Sequence, residues 1–344
     1  MNQTQQHVRN TRSRTALLSI LLSIALVGVV RADDTQAKSA ARRLSPVSTV
    51  KYRTEKVRNL DIFYREAGPQ NAPTILLLHG FPTSSHMFRD LIPILAEDYH
   101  VIAPDFPGFG LSSAPSVKDF DYTFDNIATV VDELLTKIGV ERFTVYLMDY
   151  GAPVGFRLFA RNPERVDGFI VQNGNAYEEG LRDFWNPLRD YWKDRNNKTA
   201  ENELRKFLTI DGTKWQFTHG TREPEAISPD NWLVTQPLLD RPGNVDVQLQ
   251  LFYDYGSNPG RYPAWQELFR KHQPPTLIVW GKHDYIFPSD GAFPYLRDLP
   301  NAELHLLDTG HFALEEDHDR IGALILDFMD TQPVRNENAN DDSN

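Results

Sequence analysis

The stretch that most constrains this chain is Phe143-Thr144-Val145-Tyr146-Leu147-Met148-Asp149-Tyr150-Gly151. Its first residues are β-branched, aromatic or aliphatic and read as a buried strand. Gly151 permits a tight turn, and Ala152-Pro153-Val154-Gly155-Phe156 opens an apolar-faced helix. A side chain on such a turn stands at the carboxyl edge of a parallel sheet, with helix N–H groups behind it. In most chains of this layout that residue is serine; here it is a carboxylate, Asp149.

The chain on either side extends the same sheet. Apolar runs at 74–78, 99–103, 166–171, 276–280 and 303–307 predict further strands, and alternation at 50–53 and 60–64 predicts an edge hairpin. Helices are predicted over 87–96, over 124–139, after Gly151, around 293–296 and over 320–329. Strands alternating with helices define an α/β class with a mostly parallel sheet and helices on both faces. Ligands of such sheets bind at the carboxyl ends of the strands.

The alternation stops between 176 and 273. This stretch holds five of the six Trp, and Leu181, Phe184, Trp185, Leu188, Tyr191 and Trp192 fall at helical spacing. It reads as a helical cap inserted into the core, which spans 49–175 and 274–330. Residues 33–48 read as a linker and 331–344 as a polar, disordered tail.

Residues 1–32 read as an export signal. Arg9, Arg12 and Arg14 precede an apolar run over 16–30, and Val30-Arg31-Ala32 fits a signal-peptidase site. The run is short for a membrane span, so the expectation is cleavage and a periplasmic or secreted protein with no stable span; an uncleaved N-terminal anchor is the alternative. The chain has no Cys, which removes thiol nucleophiles, thiolate metal sites and disulfides. Its net charge is −11, with no basic run beyond the N-terminus, which argues against nucleic acid as a partner.

Asp149, Asp284 and His311 each follow a predicted strand, in chain order. In a parallel sheet these three ends face one side. An acid, a second acid and a histidine there suit a nucleophile, an orienting group and a base. A carboxylate is already ionised at neutral pH, so Asp149 can attack an sp³ carbon and form an alkyl ester. His311, oriented by Asp284, then activates water. The oxyanion of that second step needs two donors, for which the backbone N–H groups of Phe81 and Tyr150 are the natural pair.

The motifs His79-Gly80-Phe81-Pro82, Asp105-Phe106-Pro107-Gly108-Phe109-Gly110, Asp149-Tyr150-Gly151, Asp284 and Gly310-His311-Phe312 together resemble the α/β-hydrolase fold from about residue 50 to 330. Within it they resemble the aspartate-nucleophile branch, the epoxide hydrolases and haloalkane dehalogenases. The resemblance implies hydrolysis of a small, mostly apolar organic substrate by water, with no metal or organic cofactor. Family epoxide hydrolases use cap tyrosines as acids, which points to Tyr253 first, with Tyr255, Tyr177 and Trp185 as further candidates to meet the substrate or leaving group. Family dehalogenases hold the halide with a Trp after the nucleophile and a donor after the His-Gly pair. Tyr150 and Phe81 stand at those positions, and the Phe81 side chain cannot donate. Leu147 and the Pro82-Thr83-Ser84-Ser85 run nevertheless have a dehalogenase form. The first expectation is therefore an epoxide hydrolase, the second a dehalogenase, and the third a non-catalytic binding protein on the same fold.

Overall fold

The computed structural model describes residues 49–331. The expected export signal, the linker and residues 332–344 of the expected tail lie outside the described residues. The apolar runs form one eight-stranded sheet: β1 (Lys51–Val57), β2 (Leu60–Ala67), β3 (Thr74–Leu78), β4 (His100–Pro104), β5 (Phe143–Met148), β6 (Val166–Gln172), β7 (Thr276–Gly281) and β8 (Glu303–Leu307). The strand order is β1-β2-β4-β3-β5-β6-β7-β8. β1 and β2 form an antiparallel hairpin whose second strand runs antiparallel to β4. From β4 to β8 the sheet is parallel. Every residue of β5 is buried, as a central strand covered on both faces requires.

Five helices accompany the sheet: α1 (Leu91–Leu95), α2 (Phe124–Lys137), α3 (Gly151–Arg161), α10 (Tyr295–Asp298) and α11 (Leu314–Thr331). Six more lie between β6 and β7: α4 (Asn186–Lys193), α5 (Lys198–Lys206), α6 (Ile210–Thr218), α7 (Asp230–Leu239), α8 (Asn244–Asp254) and α9 (Tyr262–His272). The inserted helices are tied to the core at named points. Asp254 Oδ2, at the end of α8, accepts from the N–H of Phe124 at 2.8 Å and so caps α2 together with Thr123. Arg241 donates to the carbonyls of Gly108 and Gly110 at 3.0 and 3.1 Å. No helix among the described residues is long and apolar enough to cross a membrane.

Helix limits depart from expectation where proline acts. The 87–96 stretch is split into a 3-10 turn at Ser85–Phe88 and α1. Pro93 has no N–H to donate, so the helix holding it starts within the preceding turn. Of the 181–192 stripe, Asp183–Trp185 forms a 3-10 turn and the α-helix starts only at Asn186, with Pro187 in its first turn. The helix expected around 293–296 lies at Tyr295–Asp298, behind Pro294. α11 begins earlier than 320 and is bent at Asp317, whose φ of −126° is not helical.

Candidate active site

The junction of β5 and α3 places Asp149 on a forced backbone. Its φ is +48°, in the left-handed region, which Asp tolerates better than most residues. Gly151 is required behind it, since a Cβ there would lie 2.2 Å from the Leu78 carbonyl oxygen. Across the turn, a Cβ on Gly80 would lie 2.3 Å from the Asp149 Cβ. The loop after β3 therefore comes close enough to donate. The N–H groups of Phe81 and Tyr150 both donate to Asp149 Oδ1, each at 2.6 Å. His79 holds that loop from below: its Nε2 accepts from the Phe106 N–H at 3.0 Å while Nδ1 bonds to the Gly80 carbonyl at 3.1 Å. Burial lowers His79 to about 4, so the ring is neutral and purely structural at physiological pH.

The second oxygen of Asp149 is left toward the histidine. His311 Nε2 stands 3.8 Å from Asp149 Oδ2 and has no hydrogen-bond partner. Its Nδ1 is bonded to Asp284 Oδ2 at 2.8 Å. Asp284 accepts the Ile286 N–H on Oδ1 at 2.7 Å and the Asn173 amide on Oδ2 at 2.8 Å. Asn173 follows β6 with a φ of +46°, and its Oδ1 accepts the Gly281 N–H at 2.9 Å. It thus ties the end of β6 to the end of β7.

Electrostatics follow from burial. Burial pushes the Asp149 carboxyl up to about 6, against the charge of His311 and the two N–H donors, which pull it down. Burial disfavours the charged form of His311, but the charge and hydrogen bond of Asp284, with Asp149 beyond, leave it raised overall.

Asp149 opens on a small, largely apolar cavity. The core contributes Phe81, Tyr150 and Ile286. The inserted helices and their turns contribute Phe184, Trp185, Leu188, Phe207, Gln216 and Phe252. Phe184 and Phe207 are only partly buried and mark the outer end. Trp185 and Leu188 are three residues apart and share a helical face.

Asp149, Asp284, His311, Phe81 and Tyr150 meet in one place, and Trp185 lines the cavity with Phe81, Asp149 and Tyr150. Two expected contacts lie elsewhere. Tyr253 packs edge-on against Tyr191, with ring centroids 5.9 Å apart, and carries the Arg195 guanidinium at 5.0 Å. It does not line the cavity. Tyr177 donates its hydroxyl to Asp298 at 2.9 Å and packs on Tyr295. The indole N–H of Trp185 is not free, since it donates to the Ile286 carbonyl at 2.7 Å.

Tyr255 is placed quite differently from Tyr253. Its ring packs on Trp185 at 4.6 Å and on Tyr150 at 5.9 Å, both lining residues, although Tyr255 does not itself line the cavity. The hydroxyls of Tyr150 and Tyr255 are buried and complete no hydrogen bond of ordinary geometry. Burial raises both phenols well above their usual range, and the charge of Asp149 adds to the rise in each; Tyr262 is the polar group that Tyr255 feels most. Gln216 and the bracing role of Asn173 were not expected. The sequence shows Asn173 at the end of the 166–171 run, where some family dehalogenases carry the triad acid, but not what its amide holds. Nothing in the α6 sequence distinguishes Gln216, whose place depends on how that helix lies.

The profile of the alpha/beta hydrolase fold family matches residues 73–318, and the chain belongs to that family. A haloalkane dehalogenase of Mesorhizobium japonicum is 34% identical over 329 residues, covering 87% of this chain and 98% of that protein. An uncharacterized hydrolase of Saccharomyces cerevisiae is 45% identical over 257 residues, covering 74% and 88%. Among solved structures, the epoxide hydrolase CorEH superposes with a TM-score of 0.67 at 21% identity, over 82% of this chain and 99% of that one. Likeness at that identity speaks for the fold.

Proposed function

We propose that the protein hydrolyses an epoxide to a diol through a covalent ester on Asp149. The observation that carries this reading is the pair of buried phenols beside the nucleophile, Tyr150 in the cavity wall and Tyr255 packed on it, both under the charge of Asp149. Phenols kept protonated by burial are proton donors for the oxygen of an opening epoxide ring; Tyr150 lines the cavity, and Tyr255 stands behind it where Tyr253 was expected.

In the first step Asp149 Oδ2 attacks a ring carbon and the carbon–oxygen bond opposite it breaks. The ring oxygen leaves as an alkoxide and takes a proton from a phenol. Oδ1 stays on the N–H groups of Phe81 and Tyr150, which are then placed to hold the oxyanion of the second step. In that step His311 Nε2 takes a proton from water, and the hydroxide adds to the ester carbonyl. Collapse releases the second alkoxide, which receives the His311 proton. The proton left on the regenerated Asp149 acid returns to the phenol. Epoxide plus water has become diol, and Asp284 has held His311 in one tautomer throughout.

Hydrolytic dehalogenation is the second reading. It is favoured by the 34% identical haloalkane dehalogenase, almost all of whose length aligns. Against it stands the loss of the usual family halide donors, which leaves the Tyr150 hydroxyl and the Gln216 amide to take that part. Phe81 has none in its side chain, and the indoles of Trp185 and Trp192 are spent on the carbonyls of Ile286 and Phe252.

Single turnover in ¹⁸O-water tests both. Label should enter the Asp149 carboxyl; its absence sinks covalent catalysis. A panel of terminal epoxides and brominated alkanes separates the readings by diol and halide release. Halide release with untouched epoxides would reverse the order. A binding protein would turn over neither and would keep its affinity in Asp149→Asn.

A further inference from the structure

The cavity is apolar except near Asp149 and at Gln216 on α6. Gln216 is 3% exposed, yet its hydrogen-bonding capacity is almost unused. Its Nε2 makes one long bond of 3.3 Å to the Gly212 carbonyl in its own helix. Its Oε1 accepts nothing from the described residues. Thr213, on the same helix, contrasts with it: the hydroxyl donates to Gln236 at 2.7 Å, and Gln236 in turn donates to the Leu208 carbonyl at 2.9 Å. Polar groups that merely hold α6 in place are therefore paired within the protein. Gln248, one turn before Phe252, also has a free amide, but it does not line the cavity.

A primary amide facing a cavity offers two donors and an acceptor there, and in Gln216 only one donor is spent, on the Gly212 carbonyl. We infer that Gln216 is the specificity-determining residue for a hydroxyl group on the substrate, remote from the carbon that Asp149 attacks. A hydroxyl can donate to Oε1 and accept from Nε2, so it uses both sides of the amide. The substrate class is then a small epoxide with an apolar body and one distal hydroxyl, rather than a plain hydrocarbon epoxide. Phe184, Phe207 and Leu188 would enclose the body. A site built to pair a polar group rejects the analogue that lacks it more strongly than an apolar pocket rejects an extra methylene. This inference rests on Asp149 as the attacking group.

The test compares a terminal alkyl epoxide with its ω-hydroxylated counterpart of the same carbon number, in wild type and in Gln216→Leu and Gln216→Asn. The quantity read is the ratio of kcat/KM for the two substrates, which is internal to each variant and insensitive to the fraction folded. Wild type should favour the hydroxylated substrate by about tenfold, the order of one hydrogen bond. Gln216→Leu should erase that ratio, mainly through KM, and Gln216→Asn should retain part of it. A wild-type ratio near one, or a ratio unchanged in Gln216→Leu, overturns the inference. ¹⁸O label measured on the same samples keeps the two ideas apart. Label in Asp149 with an unchanged ratio refutes Gln216 alone. A preserved preference without label refutes the nucleophile and leaves Gln216 standing.

Discussion

Asn173 offers the most demanding test of how the site is held. Its side chain bridges the ends of β6 and β7, giving an amide N–H to Asp284 at 2.8 Å and taking the Gly281 N–H at 2.9 Å. All three groups are buried. In Asn173→Ala, loss of the bond to the carboxylate costs about 1.5–3 kcal/mol, and stranding the Gly281 N–H costs about 1–3 kcal/mol. Alanine at a φ of +46° adds about 1 kcal/mol. The total, about 4–7 kcal/mol, corresponds to a fall in Tm on the order of 10–20 °C for a domain of this size. Asn173→Gly loses the same bonds without the backbone strain, so it should melt a few degrees above the alanine variant. The Ile286 N–H still holds Asp284 Oδ1 in both. Residual activity should therefore survive, with ester hydrolysis slowed more than ester formation, because His311 is the group that Asp284 orients. Differential scanning calorimetry and single-turnover kinetics below the melting range read the two effects. An Asn173→Ala protein that melts within 2 °C of wild type and hydrolyses its ester at the wild-type rate would refute the bracing argument.

Four further outcomes are expected. In the proposed mechanism Asp149 attacks only as a carboxylate, and burial pushes it up to about 6, so the single-turnover alkylation rate should be flat above that pH and fall about tenfold per unit below it; a midpoint near 4, the value of a free aspartate, would contradict the burial argument. His311 is raised and must be neutral to take a proton from water, so the alkyl-enzyme should accumulate as pH falls, visible as a mass increase on Asp149 after acid quench. Gly80→Ala puts a methyl 2.3 Å from the Asp149 Cβ and should abolish ester formation while the helical circular dichroism persists. Tyr150→Phe and Tyr255→Phe should each cut kcat on epoxides, on the order of 10²-fold for the one that is the acid, whereas Tyr253→Phe, whose ring lies against Tyr191 and Arg195, should leave kcat within about twofold; a larger loss in Tyr253→Phe would reverse the assignment of the acid.

Much of the site is legible in the sequence because strand ends are local signals. An apolar run followed by a polar residue and glycine marks where a strand stops, and parallel pairing carries all such stops to one edge. That is why Asp149, Asp284 and His311 can be named together without coordinates. The same logic places Phe81 after β3. Helix limits near Pro93 and Pro187 were less legible, because apolar spacing alone does not weigh a missing donor.

What the sequence determined by itself is the chemistry available: a carboxylate where a hydroxyl is common, two partners at neighbouring strand ends, and no thiol. What only the tertiary structure decided is which groups face that carboxylate. Tyr253 and Tyr255 are two residues apart, and successive residues in a helix turn by about 100°. Tyr255 falls on the side of Phe252, three positions earlier, and packs over Tyr150; Tyr253 turns away to Tyr191 and Arg195. Gln216 reaches the cavity for the same kind of reason. The face a helix presents is set by what it packs against, and no local pattern in α6 or α8 carries that information.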